Sequence, residues 1–292
     1  MSPTSPNRLA YGAWVGVCLL WGTTYLAIRI ALETIPPMLM GGLRWTVAGA
    51  LILLVMTLRG DKLPGRAEWP TLALLGTLLI GLGNGGVVWA EQTLPSGLTA
   101  VLVAVVPFWM VGVELATGSP EPLVLRRTLG LVVGFAGIVL LVWPELQMGE
   151  GRAFLLGVLA TQVACLGWAI GSIYSRRRRP AENVLAAAAF QMGFGGLAML
   201  AAGLLHGEWP LLAFTARSGS ALVYLLVCGS IAGFSAYAYA LKHLPLATVS
   251  LYAYVNPVIA MVLGTVVLGE PMSPRLVVAG AVVLAGMAMV RR

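Results

Sequence analysis

The chain has 292 residues, of which 59% are hydrophobic and only 10% charged. A soluble domain carries about 25% charged residues, so lipid rather than water is the expected main solvent. The net charge of +7 does not point to nucleic acid, because four of the 18 basic residues form one run, Arg176 to Arg179, and the rest are thinly spread with no interleaved aromatics.

Apolar stretches of roughly the 20 residues that cross a bilayer number ten. They cover about 10–30, 37–58, 70–90, 96–117, 125–143, 154–175, 184–205, 218–241, 246–268 and 274–290. The first follows Arg8 and has no small-x-small cleavage site, so it reads as a membrane helix and not a signal peptide. Glycine and proline are tolerated inside such helices, and no break is long enough for a soluble domain. The three cysteines, Cys18, Cys165 and Cys228, lie within spans and read as packing residues, without a disulfide or metal framework. No cofactor is expected.

The sequence repeats itself. Leu94-Pro95, Pro107 and Gly130 recur as Leu244-Pro245, Pro257 and Gly280, and breaks holding Glu121 or Glu270 precede Arg126 or Arg275. At a slightly different offset, Trp14, Cys18, Trp21 and Tyr25 match Thr161, Cys165, Trp168 and Ser172, a spacing that keeps each set on one helix face. The expected organisation is a short cytoplasmic tail at 1–9 and two five-helix repeats, 10–147 and 148–292. An odd helix number makes the second copy enter from the opposite side. The fold class is therefore all-α, a polytopic membrane protein of ten helices in two inverted repeats, the build of many alternating-access transporters.

Orientation follows from the short loops. With the N-terminus cytoplasmic, thirteen Lys and Arg fall inside (Arg8, Arg59, Lys62, Arg66, Arg126, Arg127, Arg176 to Arg179, Lys242, Arg291, Arg292) and four outside (Arg29, Arg152, Arg217, Arg275). Positive charge stays inside, so both termini are expected in the cytoplasm of a cell with this protein in its plasma membrane. The basic run also suits lipid phosphates.

Candidate binding residues are the polar and aromatic groups within spans. Arg44 lies seven residues past Pro37, roughly 10 Å deep at 1.5 Å per residue. A charge at that depth faces a cavity or a partner, and its guanidinium suits a carboxylate or phosphate. The alternative is a structural arginine bonded to carbonyls or reaching outward. Trp21 and Trp168 hold matching central positions, whereas tryptophan prefers interfaces. They could wall a pocket with Tyr25, or simply pack. Tyr252 and Asn256 share a face beside Pro257. Pro257 and Pro107 each remove a helical N–H and mark a kink or gate. Ser230, Phe234 and Tyr237 form one face of the eighth span. Asn84 sits among Gly83, Gly85 and Gly86, and Gln191 stands opposite Arg44 in the repeat.

The remaining polar residues say less. His206 and His243 have no metal-ligand partners, and Glu91, Glu114, Glu121 and Glu270 lie near interfaces. No Asp or Glu sits near the middle of a span, which favours a facilitator over a proton-coupled pump unless coupling uses a group near an interface. A lipid-modifying membrane enzyme would need paired acids or a nucleophile with a base; the one aspartate, Asp61, is in a loop.

Several of these stretches together resemble a known family. Leu20-Trp21-Gly22-Thr23-Thr24-Tyr25, Gly83-Asn84-Gly85, Pro95-Ser96-Gly97 leading to Pro107, Tyr237-Ala-Tyr-Ala-Leu-Lys242, and Asn256-Pro257 followed by Leu268-Gly269-Glu270 are similar to the EamA type of the drug/metabolite transporter superfamily, over about 10–290. The resemblance implies a central cavity and metabolite transport, commonly amino-acid efflux, across a bacterial inner membrane. It leaves the substrate open, multidrug or cation efflux included. One chain suffices to enclose the cavity, so a monomer is enough and an oligomer is compatible. The first copy departs from the pattern, with Ser119-Pro120-Glu121 where the second has Gly269-Glu270.

Overall fold

The computed structural model describes residues 8–118, 125–147, 151–178, 183–244, 246–249 and 251–291. Ser119, Pro120, Glu121, Arg179, Pro245 and the first seven residues lie outside them.

The described residues form ten helical passes and no strand. The first half holds α1 (Arg8–Ala31), α2 (Pro37–Leu58), α3 (Arg66–Ala90), α4 (Ser96–Ala116) and α5 (Leu125–Gln147). The second holds α6 (Gly151–Arg178), α7 (Val184–Leu205), α8 (Ala216–Tyr224 continuing to His243), α9 (Leu246–Val249, then Tyr252–Leu268) and α10 (Pro274–Arg291). Seven passes are long and apolar enough to cross a membrane, and α5, α9 and α10 contain shorter apolar helices. Their outer surface is apolar: Leu51, Leu54, Val55, Leu197, Val262, Val266, Val277 and Val278 are all exposed. In water that surface would be a liability; in hydrocarbon it is solvated.

The contacts obey the repeat. α2 packs along α7 and α5 along α10, each helix on its counterpart. α1 packs on α8 and α9, while its counterpart α6 packs on α3 and α4. Lipid gives apolar side chains no reason to associate, so close backbone approach at small residues holds such helices together. A Cβ on Gly196 of α7 would lie 2.5 Å from the Thr46 backbone nitrogen of α2, and one on Gly286 of α10 would lie 2.4 Å from the Gly134 nitrogen of α5.

Two further features repeat. Thr77–Asn84 in α3 and Leu225–Ala232 in α8 are wound as π-helix, 148 residues apart. The wider turn rotates the residues that follow and recurs at functional sites. It also exposes backbone carbonyls, of which one is used below. Pro107 sits just past a break at Ala104-Val105 in α4, whereas Pro257 lies inside the continuous helix Tyr252–Leu268.

One end of the bundle is sealed. There Glu270, in the α9–α10 link, accepts from the Ser96 backbone nitrogen (3.0 Å) and hydroxyl (2.7 Å), capping α4 across the molecule. Arg29 of α1 approaches Glu270 at 3.7 Å and donates to the Glu91 carbonyl. Glu208, in the α7–α8 link, caps α2 in the same manner through Met38 (3.3 Å) and Leu39 (2.9 Å). A carboxylate suits the positive end of a helix. The first turns of α4 are accordingly buried, from Ser96 to Leu102. Toward the opposite end, Val106–Met110 of α4 and Leu251–Val255 of α9 are half exposed. Glu270→Ala removes both acceptors from Ser96. We expect it to cost about 1–2 kcal/mol, read as a lower melting temperature in detergent, with Glu270→Gln losing less.

Candidate binding site

The centre of the bundle is built on α1, α2 and α8. Arg44 is buried in α2. Its Nε donates to the Ser230 hydroxyl at 2.8 Å, and its guanidinium carbon stands 4.5 Å from the Trp45 ring centroid. Its Nη1 has no hydrogen-bond partner among the protein atoms. Ser230 reaches it because the π-wound stretch of α8 faces inward here. The preceding carbonyl of that stretch, Gly229, accepts from the Trp21 indole nitrogen at 3.1 Å. Gly229 also lies beneath the guanidinium: a Cβ there would meet Arg44 Nη2 and Thr24 Cγ2, each at 2.9 Å.

A cluster of aromatic rings adjoins this arginine. Trp21 has ring centroids 5.0 Å from Tyr237, 5.1 Å from Tyr252 and 6.0 Å from Phe234. Phe234 in turn meets Trp45 edge to face at 6.1 Å. All four rings of the Trp21 cluster are half-buried, so they form a wall with an open face. The Trp45 indole donates to Asn84 Oδ1 at 2.7 Å. Asn84 thus holds a wall residue in place, and its repeat counterpart Phe234 is part of the wall.

The other candidates are placed elsewhere. Tyr25 is buried among Ala100, Ala260, Val87 and Val103, with Tyr252 of the ring cluster in electrostatic range. Asn256 bonds α9 to α1: its amide nitrogen, in the orientation its neighbours require, donates to the Cys18 and Tyr252 carbonyls at 3.1 Å. Trp168 lies against α3, where a Cβ on Gly83 would be 3.2 Å from its ring. Gln191 is buried in α7, with its carbonyl against Gly76 of α3. Arg44, Ser230, Trp21, Tyr237 and Tyr252 therefore lie together, Asn256 and Tyr25 border them at Tyr252, and Trp168 and Gln191 pack against α3.

Three contributors were not candidates from sequence. Trp45 follows Arg44 by one position, which on an ideal helix would separate their directions; the stacked arginine brings them together. Gly229 is one of 36 glycines. Glu91 stands one residue beyond the α3 span, where a carboxylate reads as an interface residue. Instead it is fully buried, and neither carboxylate oxygen has a protein hydrogen-bond partner.

Gly229→Ala tests the fit of the guanidinium. The added methyl displaces Arg44 or Thr24, and we expect about 1–3 kcal/mol of destabilisation with weaker ligand binding. A variant with unchanged melting temperature and unchanged binding would contradict this packing.

The comparisons with known proteins agree with the ten-helix fold. The EamA-like transporter family matches residues 8–143 and, again, 155–292. The chain belongs to the EamA-like transporter family. It is 36% identical over 265 residues to the uncharacterized inner membrane transporter YedA of Escherichia coli (strain K12), covering 90% of this chain and 84% of that one. It is 24% identical over 276 residues to the uncharacterized transporter YoaV of Bacillus subtilis (strain 168), covering 94% of each. Protein PecM of Dickeya dadantii (strain 3937) is 26% identical over 258 residues, covering 87% and 82%. A solved crystal structure matches with a TM-score of 0.65 at 22% identity over 98% of both chains, a likeness of fold. This EamA-family member is a membrane transporter, and its arginine site is buried within the bundle.

Proposed function

We propose that this transporter moves a small carboxylate-bearing metabolite with an apolar part, most simply an amino acid, out across the bacterial inner membrane. The observation that carries the reading is Arg44: a buried guanidinium held by Ser230 and Trp45, with one nitrogen unpartnered. Such a nitrogen is costly to bury unless a ligand supplies an acceptor, and a carboxylate makes the strong, charge-assisted bond. Trp21, Tyr237, Tyr252 and Phe234 supply the apolar wall beside it.

The placement in the membrane rests on the loop charges and on the name of the YedA relative as an inner membrane transporter. With both termini cytoplasmic, the sealed end of the bundle is the outer one and the half-exposed end opens inward. Rocking of the two five-helix halves would then carry the site from one side to the other.

A second reading has its own support. Aromatic rings attract organic cations, and four of them meet here. Thermal stabilisation of the full chain in detergent separates the two. A ligand at 100 times its dissociation constant adds roughly 2.7 kcal/mol. Stabilisation by carboxylates supports the proposal; stabilisation confined to bulky organic cations overturns it in favour of cation efflux.

A further inference from the structure

Glu91 carries information about the ligand that the arginine alone does not. Its carboxylate is fully buried at the C-terminal end of α3, and both oxygens lack a protein donor. Arg29, whose charge is felt at Glu91, does not supply one: it donates to the Glu91 backbone carbonyl and approaches Glu270 at 3.7 Å. Glu270 is itself engaged with Ser96. The other charges near Glu91 are Arg44 and that same Glu270, and the Tyr25 hydroxyl group is in electrostatic range as well.

Arg44 and Glu91 are thus a buried base and a buried acid within electrostatic range of each other. Each retains unpartnered polar atoms, and they do not pair. Burying opposite charges is tolerable only when both are compensated. Ser230 and the Trp45 ring hold the guanidinium, while Glu91 is fixed by its place at the helix end and by the Arg29 bond to its carbonyl. An acceptor beside Arg44 and a donor beside Glu91 would complete both groups.

We propose that Glu91 is an ammonium subsite, so that the transported class is compounds carrying a carboxylate and a protonated amine together, as α-amino acids do. This rests on the carboxylate reading of Arg44. The carboxylate bonds Arg44 Nη1, the ammonium donates to the two Glu91 oxygens, and the side chain is left to the aromatic wall. The sealed end must loosen to admit the ammonium, which places ligand binding and the Arg29–Glu270 contact in one linked event.

The test is thermal stabilisation of the full chain in detergent with two matched sets of compounds. One set is L-phenylalanine, 3-phenylpropionate and 2-phenylethylamine. The other is L-leucine, 4-methylpentanoate and 3-methylbutylamine. Wild type should bind the amino acids at least about thirtyfold more tightly than either truncated compound, as expected when one partner of a buried charged contact is removed. Glu91→Gln keeps the shape and removes the charge. It should bind the carboxylate as wild type does and lose the preference for the amino acid, a change that a purely structural glutamate would not produce. Equal binding of amino acid and carboxylate by wild type overturns the ammonium subsite and leaves the carboxylate reading standing. An intact preference in a folded Glu91→Gln protein does the same. No binding of any carboxylate-bearing compound overturns both.

Discussion

Arg44→Met is expected to abolish recognition of the proposed carboxylate and to leave the empty protein at least as stable as wild type. The two effects have opposite signs for one physical reason. A buried guanidinium with an unpartnered nitrogen is a cost to the folded, ligand-free protein, and methionine fills a similar length without burying a charge. With a carboxylate ligand present the same nitrogen would be a charge-assisted donor, and losing it would cost about 2–5 kcal/mol of binding. That is roughly thirtyfold to several thousandfold in affinity. Arg44→Lys should restore little, since an ammonium cannot keep both the Ser230 bond and the stacked contact with Trp45. Melting temperatures with and without the best carboxylate ligand measure both arms. A Met variant that melts well below wild type when empty, or that still responds to the ligand, would show that the arginine is structural.

The second large effect belongs to packing. Gly195→Val should prevent assembly of α3 on α7. A Cβ at Gly195 would lie 2.4 Å from the Gly76 carbonyl oxygen and 2.6 Å from Ile80 Cβ, while one at Gly76 would lie 2.4 Å from the Gln191 carbonyl oxygen. The obstruction is mutual and mostly backbone, so no side-chain rotation relieves it. Overpacking of this kind costs about 3 kcal/mol or more, a large fraction of the stability of a typical protein. Gly193 is the control. It is two residues away, and nothing lies within 4 Å of its added Cβ. Gly193→Ala should be tolerated, with a gain of up to about 1 kcal/mol from helix propensity. Yield of monodisperse protein in detergent and the melting temperature distinguish the two. Equal behaviour of the variants would contradict the close approach of these helices.

The repeat and the helix count were legible in the sequence because both depend on spacing along the chain. Apolar runs near the bilayer thickness, the recurring Leu-Pro breaks, and an odd number of spans per copy are one-dimensional facts. The contact pattern, α2 on α7 and α5 on α10, repeats them in space. Arg44 was legible too, since a charge inside an apolar run stands out wherever its partners are.

The composition of the site depended on the fold. Trp21 and Trp168 hold equivalent positions, yet Trp21 joins a ring cluster and Trp168 lies against Gly83. Asn256, which shares a helix face with Tyr252, turned out to bond Cys18. Hydrogen-bond partners of that kind are more than 200 residues apart in the chain. Glu91 was the least legible. Its position just past a span is what a solvated interface residue would have, and only the packing of α1, α2 and the α9–α10 link around it leaves the carboxylate buried. What the sequence by itself determined is the architecture, through hydrophobic length and repetition. What the tertiary structure decided is which polar groups face one another, because that depends on π-wound turns, glycine contacts and an asymmetric seal that no local pattern records.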